Sequence, residues 1–166
     1  MKRIPKPFKG KLIRMMADVQ LAICPALRGD VHSLFENLAN EAKKEILIAN
    51  YLIYDAAKDL LKRVCRKAKE KGVNVRILTT RNSHKSVLDE IGELIGYENI
   101  RIRDSLHAKF AVFDRKTLFI SSANFTAGST VNNDEIAISV SLEDVAKEAA
   151  EYFEDMWKEA EEYIKK

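Results

Sequence analysis

His107-Ala108-Lys109, then Asp114, then Ser122-Ala123-Asn124: this stretch decides how the chain is read, because within eighteen residues it gathers a nucleophile, a cation and two hydrogen-bonding side chains. Imidazole, ammonium, hydroxyl and carboxamide together suit a tetrahedral anion. Three of them donate hydrogen bonds to oxygens while an imidazole nitrogen attacks phosphorus. If residues 107 to 114 form a strand, side chains alternate between its faces. His107 and Lys109 then point one way and Asp114 the other.

Working outward, Leu118-Phe119-Ile120 is an apolar run that reads as the next strand, and the same parity puts Ser122 and Asn124 on one side of the segment that follows. Two neighbouring strands would converge the four groups. Glu135 precedes the alternating Ile136-Ala137-Ile138. A carboxylate there that accepts from the second ring nitrogen of His107 would fix its tautomer and stabilise the imidazolium. Each residue also has an ordinary reading, since a strand histidine is commonly packed and Ser or Asn after a strand commonly makes a turn. The combination at matched spacing shifts the balance.

This pattern resembles the phospholipase D superfamily, whose signature is His-x-Lys, four residues, Asp, six residues and Gly-Ser-x-Asn. Every spacing fits here, with Ser121 at the glycine position, where it adds a Cβ. The likeness runs from about Gln20 to the helix near Ile164, and is greatest to the compact single-motif branch, whose members act on nucleic acid or cardiolipin. In that branch two copies of the motif, one per subunit, make one active site. The resemblance implies no metal requirement and no cofactor. Together with the chemistry of the residues it gives His107, Lys109, Asn124 and Ser122 as catalytic candidates, to which Glu135 is added as the acidic orienter, and parity and resemblance make Asp114 a structural acceptor that holds a loop or an arginine.

With 166 residues there is room for one domain and no second His-x-Lys. His32 is followed by Ser33-Leu34 and His84 by Lys85-Ser86. A symmetric homodimer with a shared site is therefore the expectation. The hydrophobic fraction of 46% and charged fraction of 32% describe a folded domain with somewhat more charge than average. Cys24 and Cys65 stand far apart without metal-ligand spacing, which points to a reducing, cytoplasmic setting and not to a disulfide or zinc site. His32 and His84 each read as surface or capping residues. Residues 1–14 carry six Lys or Arg and no acid, and read as a basic arm on a single domain spanning residues 15–166. No window is long and apolar enough to span a bilayer.

Strand and helix signals alternate along the chain. Strands are expected at 19–24, 46–49, 73–78, 100–103, 107–114, 118–120 and 136–140. Helices are expected from Asp30 to Lys44, from Asp55 to Lys71 with a stop at Gly72, over Val87–Ile95, and from Ser141 onward, where Val145, Ala149, Phe153, Met156 and Ile164 would face the core. The fold class that follows is α/β, a mixed sheet with helices on both faces. A polar loop at 79–83 lies at a strand carboxyl end, where ligands of open α/β sheets tend to bind.

The expected reaction is phosphodiester cleavage by two displacements through a phosphohistidine, with the second subunit's histidine as general acid and a bell-shaped pH profile. A nuclease is favoured by the basic arm and by the helix holding Lys62 and Arg66, with Arg81 and Lys85 as further substrate-binding candidates; the same helix can equally be a solvated face. The alternatives are a phospholipase or phosphatidyl transferase, which calls for an exposed apolar surface that the sequence does not display clearly, and a silent nucleic-acid-binding module. Tyr51, Tyr54 and Phe125 either stack bases or line the core, with the core favoured.

Overall fold

The computed structural model describes residues 18–24, 31–126 and 133–165. The basic arm and the Asp30 cap lie outside them. Eight strands form one mixed sheet: β1 (Asp18–Cys24), β2 (Glu45–Asn50), β3 (Asn74–Thr79), β4 (Ile100–Ile102), β5 (Lys109–Phe113), β6 (Thr117–Ser121), β7 (Glu135–Ser141) and β8 (Glu161–Glu162). Among the described residues four α-helices accompany them: α1 (Val31–Glu41), α2 (Lys58–Glu70), α3 (Lys85–Ile95) and α4 (Glu143–Lys158). The strand order is β1-β7-β6-β5-β2-β3-β4-β8. β2, β3 and β4 run parallel, joined by helical crossovers, and the other pairings are antiparallel.

β2 sits at the centre because Ile46-Leu47-Ile48-Ala49 has no polar face to expose. Its period of two feeds two cores. Ile46 and Ile48 pack with Val75, Ile77, Ala111 and Phe113 beneath α1, α2 and α3, whereas Leu47 and Ala49 join Leu78, Val112 and Leu118 beneath α4. The α2 stripe of Leu60, Leu61, Val64, Cys65 and Ala68 has helical spacing. Burial pushes the Cys65 thiol up to about 12. Gly72, at φ 69°, ends α2 in the left-handed region as its position in the sequence predicts.

Among the described residues α4 alone covers the second face, and an ion-pair network pins it there. Arg76 of β3 bridges to Glu154 at 2.5 Å and lies over the rings of Phe153 and Trp157, while Arg115 joins Glu154 at 2.8 Å to Glu45 at 2.6 Å. The buried stripe of α4 is Ala146, Ala150, Phe153 and Met156, with Val145 and Ile164 exposed. The expected stripe fails at its start because the helix begins at Glu143, Ser141 ending β7 with its hydroxyl against that of Thr117 at 3.0 Å, and at its end because the helix stops at Lys158, before Ile164. Asp55 opens a 3₁₀ turn before α2 and pairs with His84. His32 is buried in α1 against Phe125, not at the surface.

Candidate active site

The motif strand is shorter than the expected 107–114, since pairing with β2 starts at Lys109, opposite Asn50. Buried Leu106 anchors the segment before it, through its N–H to the Arg103 carbonyl at 3.0 Å, and leaves His107 exposed at the mouth of the sheet. Lys109 is half-buried and donates from Nζ to the His107 carbonyl at 3.0 Å. Burial lowers the Lys109 pKa, and the nearby Glu135 carboxylate opposes that shift. The common direction of His107 and Lys109 is therefore set by the turn and the start of β5, not by a continuous pleat.

Asp114 lies at the opposite end of β5, about 16 Å from Lys109 by strand rise. It sits in the left-handed region at φ 53°, next to Arg115 at φ 54°. Its carboxylate accepts from the backbone amides of Lys43, Lys44 and Glu45 at 2.9, 2.7 and 3.0 Å. Burial alone would raise its pKa, but these three amides outweigh that and hold it below the ordinary aspartate range. Its contacts belong to the fold and not to the cleft.

β6 delivers Ser121 and Ser122 to the same end of the sheet as Lys109. Ser122 donates from its hydroxyl to Glu135, accepts from the Ile136 amide at 3.1 Å, and binds the Ile136 carbonyl through its own N–H at 2.9 Å. Glu135, buried at the start of β7, thus spends its carboxylate on Ser122, where the sequence suggested the His107 ring. Ser121, at the glycine position of the signature, accepts from the Ala123 amide at 2.9 Å, so its added side chain shapes the turn toward Asn124.

Asn50 is a scaffold residue that sequence reasoning missed. Buried at the end of β2, it accepts from the amides of Leu52 and Phe125, both at 3.3 Å, and donates to the Ala123 carbonyl at 3.4 Å. It clamps both sides of Asn124. Phe125 is core, packed on Phe35 with ring centroids 5.1 Å apart, but Tyr51 and Tyr54 belong to neither core cluster. Tyr51 faces His107 and Tyr54 stacks on His84. The loop at 79–83 serves the same scaffold: Thr79, Thr80 and Ser83 are buried and bond to Asn50, Tyr51 and Ile53.

His107, Lys109, Ser121 and Ser122 share the wall of an open cleft of about 620 Å³, faced by Phe110, Ile120 and Tyr152. None of Lys62, Arg66, Arg81 or Lys85 lines it. Lys62 is paired with Glu90, Arg81 with Asp104 and Glu161, and Lys85 with Asp89, so three of the four cations already have carboxylate partners within the chain. Among the described residues no group of three His, Cys, Asp or Glu side chains is placed to hold a metal ion.

A family model described as "Cardiolipin synthase, PLD-like domain" matches residues 35–157. The chain belongs to the phospholipase D-like superfamily. Within this phosphodiesterase superfamily, it is 28% identical over 142 residues to the DISARM protein DrmC of Bacillus paralicheniformis, covering 80% of this chain and 58% of that one. To the mitochondrial cardiolipin hydrolase of Canis lupus familiaris it is 30% identical over 95 residues, 54% of this chain and 37% of that one. The chain thus spans less than two thirds of these curated relatives. Nuc from Salmonella typhimurium, a phospholipase D family member of known structure, superposes with a TM-score of 0.78 at 22% identity, over 90% of this chain and 99% of that one. The phospholipase D-like fold places the whole signature at one end of the sheet except its aspartate.

Proposed function

We propose that the protein is a homodimeric phosphodiesterase that cleaves nucleic acid, with two copies of His107 flanking one phosphate. The observation that carries this reading is an apolar sheet face that adjoins the cleft. Val19, Leu21, Ile120, Ile136 and Ile138, on β1, β6 and β7, are each between 37% and 60% exposed. Cross-strand register puts Leu21 beside Ile138 and Ile138 beside Ile120, so they form one surface. Contiguous apolar patches of this kind mark interaction sites. Ile120 also lines the cleft. A second copy seated on this face would bring a second half-site to the first.

In the reaction, an imidazole nitrogen of His107 attacks phosphorus and the bond to the leaving oxygen breaks, while the partner subunit's His107, protonated, gives that oxygen its proton. The product is an alcohol and a phosphohistidine. The now neutral imidazole takes a proton from water, the resulting hydroxide attacks phosphorus, and the P–N electron pair returns to His107. A phosphomonoester leaves. Lys109 and Asn124 of each subunit stabilise the equatorial oxygens, and Ser122, tied to Glu135, holds the turn beside them.

A phospholipid diester is the second reading, favoured by Phe110, Leu118, Ile120 and Tyr152 along the cleft. The two readings use the apolar surface differently: a dimer buries it, whereas acyl chains need it open. The basic segment at 1–14 inclines the choice to a polyanion. The test is turnover with chelator present on single- and double-stranded DNA, RNA and anionic phospholipid vesicles, alongside mass by light scattering. Cleavage of nucleic acid by a dimer, lost in His107→Ala, is the expected result. A monomer that hydrolyses lipid, or full activity in His107→Ala, overturns it.

A further inference from the structure

We infer that Tyr51 is a positioning residue of the site, its ring bracing both the imidazole of His107 and the ammonium of Lys109. The ring centroids of Tyr51 and His107 are 5.0 Å apart, tilted by 47°. Lys109 Nζ lies 5.6 Å from the centroid of the same ring. A single aromatic side chain therefore touches the two groups on which the proposed chemistry depends, and the inference rests on that proposal.

The backbone around Tyr51 is fixed more firmly than a loop needs. Its carbonyl accepts from Thr80 Oγ1 at 2.9 Å, the carbonyl of the preceding Asn50 accepts from Thr79 Oγ1 at 2.8 Å, and the amide of the following Leu52 donates to Asn50 Oδ1 at 3.3 Å. Thr79 and Thr80 are both buried. Every one of these bonds is local to the cleft end of the sheet. The ring they fix packs in neither hydrophobic core. An aromatic ring whose backbone is held by hydrogen bonds from buried threonines, yet which is placed against an exposed imidazole and a half-buried ammonium, serves those groups.

The physical effect has two parts. His107 projects from an irregular segment ahead of β5, so its ring rotation is not limited by strand neighbours; the Tyr51 ring limits it, keeping a nitrogen directed at the phosphate. Lys109 is half-buried, and the quadrupole of the ring face stabilises its ammonium where water has been partly removed. Both parts need a ring and neither needs the phenolic hydroxyl. Phenylalanine should therefore replace tyrosine, and an aliphatic residue should not.

The test compares wild type, Tyr51→Phe, Tyr51→Leu and Tyr51→Met with a phosphodiester dye substrate, after circular dichroism has checked that each variant is folded. Removing the ring is expected to lower kcat about ten- to a hundredfold with KM changed by less than about threefold, and Tyr51→Phe to stay within about threefold of wild type. Unchanged kcat in a folded aliphatic variant, or a loss confined to KM, overturns the inference. Proton NMR of the His107 ring, assigned with His107→Ala, reads the contact without turnover: the ring-current shift should survive in Tyr51→Phe and vanish in both aliphatic variants. Identical His107 resonances in all four proteins would overturn it independently. If the wild type turns over no phosphodiester, the functional proposal falls and the NMR comparison still decides the role of Tyr51.

Discussion

Asp114→Ala should destabilise the protein strongly while leaving the chemistry of the folded fraction intact. The carboxylate accepts three backbone N–H groups within 3.0 Å, from Lys43, Lys44 and Glu45. A hydrogen bond to a charged group contributes about 1.5–3 kcal/mol, and three on one carboxylate share its charge and fall short of additivity. Alanine at φ 53° adds about 1–2 kcal/mol of backbone cost. The expected loss is about 3–5 kcal/mol, against about 1–2 kcal/mol for Asp114→Asn, which keeps an acceptor and tolerates the left-handed region. Denaturant unfolding at fixed protein concentration reads it.

The pH dependence has a definite sign. The folded-state pKa of Asp114 is lowered, so its contribution is present above the unfolded value of about 3.9 and fades as pH falls through the folded value. The gap between wild type and Asp114→Ala should therefore be widest near neutral pH and narrow in acid. A difference below about 1 kcal/mol at pH 7, or one that does not change on acidification, would refute the account of three amides converging on a carboxylate. Loss of kcat in folded Asp114→Ala would refute its separation from the chemistry.

Glu135→Gln removes the charge that offsets the burial of Lys109, so the Lys109 pKa should fall further, which an NMR titration of its side chain reads against wild type. Asn50→Leu strands the Leu52 amide and the Ala123 carbonyl, while the Phe125 amide keeps the Leu52 carbonyl at 3.1 Å, and should cost about 1–3 kcal/mol in unfolding free energy together with turnover, as the loop carrying Asn124 loosens. Leu21→Glu or Ile138→Lys puts charge into the exposed apolar face. Either should dissociate the proposed dimer in sedimentation and abolish cleavage, with circular dichroism unchanged.

The architecture was largely legible in the sequence because its signals are local. Ile46-Leu47-Ile48-Ala49 announces a strand buried on both faces, and Gly72 announces the end of α2. The two-residue β8 carries only Glu161 and Glu162, which no strand pattern reveals; its position follows from pairing with Arg101 and Ile102. The α4 stripe was misplaced at its start because Ser141, which resembles a helix cap, is used by β7. In the site, His107, Lys109 and Ser122 are found by their chemistry and spacing. Asn50 and Tyr51 are not, because the site groups they meet, Phe125 and His107, lie 75 and 56 positions away and only the pairing of β2 with β5 and the Ser122–Phe125 turn brings them together. The pairing of the α2 cations is hidden from the sequence for a related reason. Lys58 and Lys62 meet Glu90 of α3, and Arg63 meets Glu36 of α1, so charges that look unopposed along the chain are matched across helices.

Strand order also constrains the sequence in which the molecule can be assembled. β2, β3, β5 and β6 come from residues 45–121 and pair among themselves, whereas β1 must wait for β7, with residue 24 meeting residue 135. Closing so long a loop slows the step more than it weakens the product. On a ribosome, the histidine and lysine would already be in place while the early strand still lacked its neighbour. The surface formed by β1, β6 and β7 is completed late, so the proposed dimer can form across it only between finished subunits.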